Sequence, residues 1–249
     1  MKTVFITGAT SGIGMATAKV LAPNYRLILC GRRLDKLDQV KKELETITSV
    51  YTLAFDVSSK EDVFNAIDSL PQEWKSIDIL INNAGNAHGL ATFQQADLSD
   101  MEAMIDINVK GLMYVTKAVL PLMLPSGMGH IVNLSSIAGK ETYMNGTMYC
   151  ASKAAVEAIS KGLRLDLVSS GIKVTNIAPG AVETEFSLVR FKGDKTKADS
   201  VYAGYEPLVA SDIADTIAYI VNAPEHVQIA DVTIFPKAQA GATTIFKSN

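Results

Sequence analysis

The chain has 249 residues, of which 48% are apolar and 20% charged, a composition ordinary for a globular protein and long enough to bury a full core. Its 26 acidic and 23 basic side chains leave a formal charge of −3, which excludes the strongly basic surface that a nucleic-acid partner would require. Two cysteines, Cys30 and Cys150, and three scattered histidines, His88, His130 and His226, exclude a disulfide framework and argue against a metal site, so a reducing, cytoplasmic setting with no metal is expected.

The first residues form an apolar run that stops at Gly8, too brief for a signal-peptide core, and no apolar stretch is read as approaching the ~18 residues of a membrane span. No membrane partner is expected. Strands are predicted at 3–7, 26–29, 50–55, 77–81, 130–134 and 173–177, with a last one at 231–235. Between them, apolar residues return every three or four positions at 13–21, 34–47, 59–70, 100–123 and 149–168, and again at 211–221, which predicts helices. Alternation of this kind implies a doubly wound parallel α/β sheet covered on both faces. No linker, repeat or low-complexity tract interrupts it, so residues 1–249 are expected to form a single domain. Residues 181–207 break the rhythm, being mixed, partly basic and without period, and are predicted as a substrate loop or lid after strand six, at the carboxyl edge of the sheet.

The first strand runs directly into Thr7-Gly8-Ala9-Thr10-Ser11-Gly12-Ile13-Gly14. Glycines there permit a tight turn and a close backbone approach to a pyrophosphate, while the following helix presents unpaired N–H groups. A plain strand-to-helix turn uses the same glycines. The place at strand one favours a dinucleotide site in a Rossmann-type sheet. The second strand leads into Cys30-Gly31-Arg32-Arg33, with no carboxylate before Asp35. Two guanidiniums suit the 2′-phosphate of NADP, the alternative being a solvated pair at a helix start. Asp56 is placed either to accept from an adenine amino group or to cap the helix beginning near Ser59.

The fourth strand ends in Asn82-Asn83-Ala84-Gly85 and the fifth in Leu134-Ser135-Ser136, and the next helix opens with Tyr149-Cys150-Ala151-Ser152-Lys153. Tyrosine and lysine four apart share a helical face, so the ammonium can stabilise the phenolate and make Tyr149 a proton donor and acceptor near neutral pH. Any long helix can hold Tyr-x-x-x-Lys by chance. The joint set is another matter, because the strand-one glycines, Asn83-Ala84-Gly85, Ser136 and the Tyr149/Lys153 pair all converge on one sheet edge. In that set, in order and spacing, the chain resembles the short-chain dehydrogenase/reductase family over essentially its whole length.

The resemblance implies reversible hydride transfer between a secondary alcohol carbon and the nicotinamide of NADP, with no metal. It implies Tyr149 as acid/base, Lys153 as the group that lowers its pKa and binds the nicotinamide ribose, and Ser136 as donor to the substrate oxygen. Asn108 matches the family asparagine whose backbone holds a relay water; otherwise it is a polar residue of poor propensity inside a helix. The implied cofactor site comprises Thr7, Gly8, Ser11, Gly12, Ile13 and Gly14, then Arg32, Arg33, Asp56 and Val57. It continues with Asn83, Ala84 and Gly85, with Tyr149 and Lys153, and with Pro179, Gly180, Val182 and Thr184.

The block Thr184-Glu185-Phe186-Ser187-Leu188-Val189-Arg190-Phe191-Lys192-Gly193-Asp194 looks like the branch of the family that oxidises 3-hydroxy acids such as serine and L-allo-threonine. A loop arginine can grip a small-molecule carboxylate bidentately, which makes Arg190, then Lys192, candidate substrate residues beside Ser136, Tyr143 and Tyr149. A solvated basic loop is the alternative. Lys140-Glu141-Thr142 stands where related sequences often carry an aromatic residue or proline, so a carbonyl reductase of ketones, aldehydes or dicarbonyls competes with the hydroxy-acid activity. A dinucleotide-sensing protein without turnover is a third class, disfavoured by the intact tyrosine, lysine and serine. The helices at 100–123 and 149–168 carry apolar residues on more than one face, which fits the homotetramer that the resemblance implies.

Overall fold

The computed structural model describes residues 1–248. In chain order they form β1 (Thr3–Thr7), α1 (Gly12–Leu21), β2 (Arg26–Gly31), α2 (Leu34–Leu44), β3 (Val50–Ala54) and α3 (Lys60–Asp68). Next come β4 (Ile79–Asn82), α4 (Leu98–Ile105), α5 (Leu112–Met123), β5 (Gly129–Leu134), α6 (Thr147–Asp166) and β6 (Ile172–Pro179). The last third holds β7 (Val182–Glu183), α7 (Glu185–Arg190), α8 (Lys195–Ser200), β8 (Leu208–Val209), α9 (Ala210–Val221) and β9 (Asp231–Ile234).

Seven strands make one parallel sheet in the order β3-β2-β1-β4-β5-β6-β9, the doubly wound α/β arrangement expected from the alternation. The period of two along β1 explains both layers. Val4 and Ile6 join a cluster with Leu21, Leu37 and Ile217 from α1, α2 and α9, while Phe5 joins Val63, Val119 and Met123 from α3 and α5. Each such fully buried aliphatic contributes roughly 1.5–3 kcal/mol by leaving water. Cys30 belongs to the second layer at 1% exposure, and Cys150 is 2% exposed in a third, smaller cluster beside Tyr149.

The predicted helix at 100–123 begins at Leu98 and is interrupted by a π turn at Asp106–Gly111. The continuous helical stretch Leu98–Ser126 has 29 residues and contains an 18-residue window with a mean hydropathy of 1.3, long and apolar enough by composition to cross a membrane, which corrects the expectation that no such stretch exists. Its apolar character has a place in the fold: Val115, Val119 and Met123 cover one face of the sheet at 1% exposure or less. The segment 181–207 is likewise more regular than expected, since it contains α7, α8 and β7, which pairs in parallel with β8 just beyond it. Helices of six residues are too short to display a period in sequence. The chain switches direction across the sheet between β1 and β4, and the carboxyl ends of those two strands open the crevice where such sheets bind ligands.

Candidate active site

At the end of β1, Thr7 Oγ1 accepts the backbone N–H groups of Asn83 (3.0 Å) and Ala84 (2.9 Å). The Asn83 amide answers by donating to the carbonyls of Thr7 (2.9 Å) and Gly8 (3.1 Å), which fastens β4 to the glycine turn. Gly8 sits at φ +66°, and a Cβ there would lie 2.8 Å from the Asn83 amide nitrogen. The Gly14 position is closed to a side chain by the Gly8 carbonyl itself. Thr7 and Gly14 therefore shape the turn from behind, while Gly8, Ser11, Gly12, Ile13 and Asn83 line a cavity of about 800 Å³.

Arg32 and Arg33 line that cavity as well. Arg33 Nη2 donates to Thr10 Oγ1 and Ser11 Oγ, each at 3.0 Å, so the glycine turn itself aims the guanidinium. Arg32 pairs with Asp56 at 3.3 Å. The other Asp56 oxygen accepts from the Ser58 backbone N–H (2.9 Å) and hydroxyl (2.8 Å). Burial pushes this carboxyl up, but the Ser58 hydrogen bonds and the Arg32 charge outweigh it and hold the group below the usual value. Asp56 is not a helix cap: Ser59 caps α3 by accepting from Asp62 N at 3.2 Å.

On the other side of the cavity, Tyr149, Lys153 and Ser136 converge as the spacing predicts. Lys153 is 6% exposed and donates to the Leu134 carbonyl at 2.9 Å; burial pulls its ammonium down to about 8. Burial, with Tyr143 nearby, pushes the Tyr149 phenol well up, against a Ser136 hydrogen bond and the Arg190 charge that pull it down. The expectation of a phenol lowered by Lys153 is corrected accordingly, because desolvation sets the sign. Asn108 stands in the π turn and lies outside the cavity wall. Its amide forms a two-point bridge with the Asn86 backbone, 2.8 Å in each direction, and also donates to Ser152 Oγ at 3.0 Å. This bridge ties the loop after β4 to α6. Gly85 fits the same junction, where a Cβ would lie 3.1 Å from Asn108 Oδ1 and 3.2 Å from Lys153 Nζ.

Residues of the 181–207 segment supply a further wall. Thr184 caps α7 through Phe186 N, and the Phe186 ring leans on Tyr149 with centroids 5.7 Å apart. Arg190, at the other end of α7, donates to Gly89 O and to the Tyr143 hydroxyl, both at 3.2 Å, and its guanidinium lies 5.5 Å from the Tyr149 ring centre. Lys192 does not share this placement. It pairs with Asp100 at 2.8 Å and Asp97 at 3.5 Å and lines an adjoining space of about 220 Å³ that shares Tyr149 and Arg190 with the main cavity, so its charge is already matched by two carboxylates. Lys140 is drawn away as well, into pairs with Asp231 (2.7 Å) and Glu157 (3.0 Å). Val57, Pro179, Gly180, Val182 and Thr184 line the cavity. So do Gln239, Ala242 and Ile245, which no sequence signal marked. Gln239 accepts from Ala181 N at 2.8 Å and so braces the start of the 181–207 segment.

The model of a family described as short chain dehydrogenase matches residues 2–194. An NADP-dependent 3-hydroxy acid dehydrogenase of Schizosaccharomyces pombe is 43% identical, covering 99% of this chain and 96% of its own. Sulfoacetaldehyde reductase 2 of Chromohalobacter salexigens is 43% identical over 95% of both chains. Among solved structures, the closed form of serine dehydrogenase complexed with NADP+ superposes with a TM-score of 0.92 at 39% identity, covering 99% of this chain and all of the other.

Proposed function

The chain belongs to the short chain dehydrogenase family, and on that footing we propose that it is an NADP-dependent oxidoreductase interconverting the hydroxyl and carbonyl of a small 3-hydroxy acid, such as L-serine, L-allo-threonine or 3-hydroxypropionate. The residues present fit the cofactor: a glycine cradle with no room for side chains at Gly8 and Gly14, and a guanidinium already aimed by Thr10 and Ser11. Gly8, Ser11, Gly12 and Ile13 would hold the pyrophosphate, Arg32 and Arg33 the 2′-phosphate, and Lys153 with Thr184 the nicotinamide end. When bound, NADP supplies the hydride acceptor, or in reduced form the donor.

The protein's own part is positioning and proton transfer. Held protonated by burial, the Tyr149 phenol is set to donate to the oxygen of a carbonyl and become phenolate, and in the opposite direction the phenolate takes the hydroxyl proton and returns to the phenol. Ser136 donates to the same oxygen and shares the charge that develops there. The Arg190 guanidinium supplies positive charge that makes the phenolate less costly.

The observation that carries the substrate class is Arg190, whose charge stands 5.5 Å from the Tyr149 ring centre with two of its five N–H donors committed among the described residues. A carboxylate held there puts a reacting carbon near the phenol. The sulfoacetaldehyde relative favours a second reading, reduction of an aldehyde bearing an anionic head group, since its named compound also carries an acidic group beside the reacting carbon. Exposed Met113, Leu165 and Val168 on α5 and at the end of α6 support the assembly of this single domain into a homotetramer. The test is a panel with NADP+ and NADPH comparing the three hydroxy acids, sulfoacetaldehyde and simple ketones. Turnover of neutral ketones in preference to every acid would overturn the reading. Tyr149→Phe should abolish turnover by about 100-fold or more while retaining NADP+ binding.

A further inference from the structure

The first residue of α7 reaches back across the cavity to the side that Arg33 lines. The Glu185 carboxylate pairs with Arg33 Nη1 and with Lys36 Nζ, both at 3.4 Å, and lines the same cavity as Arg33. These are its only hydrogen-bond partners among the described residues. Asp56 offers an instructive contrast. It too faces an arginine, but its second oxygen is fixed by Ser58, so it is part of the wall. Glu185 is half exposed and is held by nothing except the two cations.

A 2′-phosphate carries close to two negative charges and selects the same kind of partner, a guanidinium with an ammonium beside it. Two anions cannot share Arg33 and Lys36 without repulsion. We propose that Glu185 is a cofactor-specificity residue: its carboxylate occupies the Arg33 and Lys36 cations, and a 2′-phosphate binds there by displacing it. This rests on the reading of Arg32 and Arg33 as the 2′-phosphate site. Burial pushes the Glu185 carboxyl up, but Lys36 and Arg33 outweigh that and keep it below the usual value, so the competing charge is present at neutral pH. A dinucleotide without the phosphate leaves the ion pairs in place. With the phosphate, the pairs at the amino end of α7 are exchanged while Arg190 at the other end stays over Tyr149. Glu185 thus sets how much of the phosphate's binding strength appears as preference for NADP over NAD.

Calorimetric binding of adenosine 2′,5′-bisphosphate and adenosine 5′-monophosphate to the full chain separates the parts, because neither probe reaches Tyr149. In the unaltered protein the bisphosphate should bind more tightly than the monophosphate; equal binding would sink the arginine reading. Glu185→Gln should tighten the bisphosphate by about threefold or more, with the monophosphate unchanged and the gain shrinking as salt rises. Glu185→Asp, with its charge withdrawn by one methylene, should fall between. If the bisphosphate is preferred in the unaltered protein but Glu185→Gln leaves its affinity unchanged or weaker, the arginine reading stands and the competition by Glu185 is overturned.

Discussion

Lysine 153 carries a stability signature that can be worked out in advance. Burial pulls its ammonium from 10.5 to about 8 in the folded chain, whereas the unfolded chain returns it to the ordinary value. Between those values the unfolded state binds more protons, so stability rises with pH through this window, and the penalty is fully present below about 8. Linkage over the shift from 10.5 to about 8 amounts to roughly 3 kcal/mol in total, of which about 1.4 kcal/mol is recovered between pH 7 and pH 9. Lys153→Met keeps the buried stem and removes the titration. Its loss of the hydrogen bond to Leu134 O is a constant offset with no dependence on pH. Urea unfolding of both proteins at pH 7 and pH 9, without cofactor, should therefore show the difference in stability shifting by about 1.4 kcal/mol in favour of the lysine form at the higher pH. Every other titrating group, Tyr149 and Cys30 included, is common to both proteins and cancels in the difference. A difference that stays constant with pH would refute a desolvated ammonium at this position.

Other expectations bear on the site and the sheet. Arg190→Met should lower kcat/KM for L-serine and 3-hydroxypropionate by about 10- to 100-fold, the range for one charge-assisted hydrogen bond, with a smaller effect on a neutral alcohol; equal losses on both would show that the guanidinium only props up Tyr143. Arg32→Ala combined with Arg33→Ala should weaken NADP+ by a similar factor in a fluorescence titration and leave NAD+ within about threefold, and parallel losses would remove the phosphate assignment. His130, 3% exposed on β5, is pulled from 6.5 to about 3 by burial and then by the Lys173 charge. Its unfolded form takes up the proton first, so stability falls with acid. The protein should lose about 3 kcal/mol between pH 7 and pH 4 that a His130→Asn variant does not lose, and chemical denaturation across that range checks it.

What could be read from the chain alone divides along physical lines. The strands were legible because a strand covered on both faces must be apolar throughout, as Ile28 and Leu29 are; β2 runs on to Gly31, beyond the predicted end, because backbone pairing with β3 continues past the apolar run. The placement of Tyr149 with Lys153 and Ser136 was legible because helix and strand periods carry it. The π turn was not, since a single extra residue per turn at Asp106–Gly111 leaves the apolar period almost unchanged. Lys192 and Arg190 look alike in sequence, both basic and two apart in a loop. The turn at α7's end separates them, sending one to Tyr143 and the other to Asp100. Glu185 and Gln239 were invisible for a related reason: their partners, Arg33 and Ala181, are 152 and 58 residues away, and no local pattern records such distances.

The two buried thiols make the chain a recorder of its own opening. Cys30 is enclosed in the layer between β2 and its covering helices, and burial pushes its thiol well above the usual value, so an alkylating reagent reaches it only when the sheet comes apart. Cys150 is enclosed at the other end of the molecule's hierarchy, one residue from Tyr149, behind Ala87, Met104 and Ala138. A reagent adds mass at that position when the first turn of α6 lifts from its neighbours, an event that leaves the sheet intact. The order in which the two positions gain mass is then the order in which the catalytic edge and the central sheet yield.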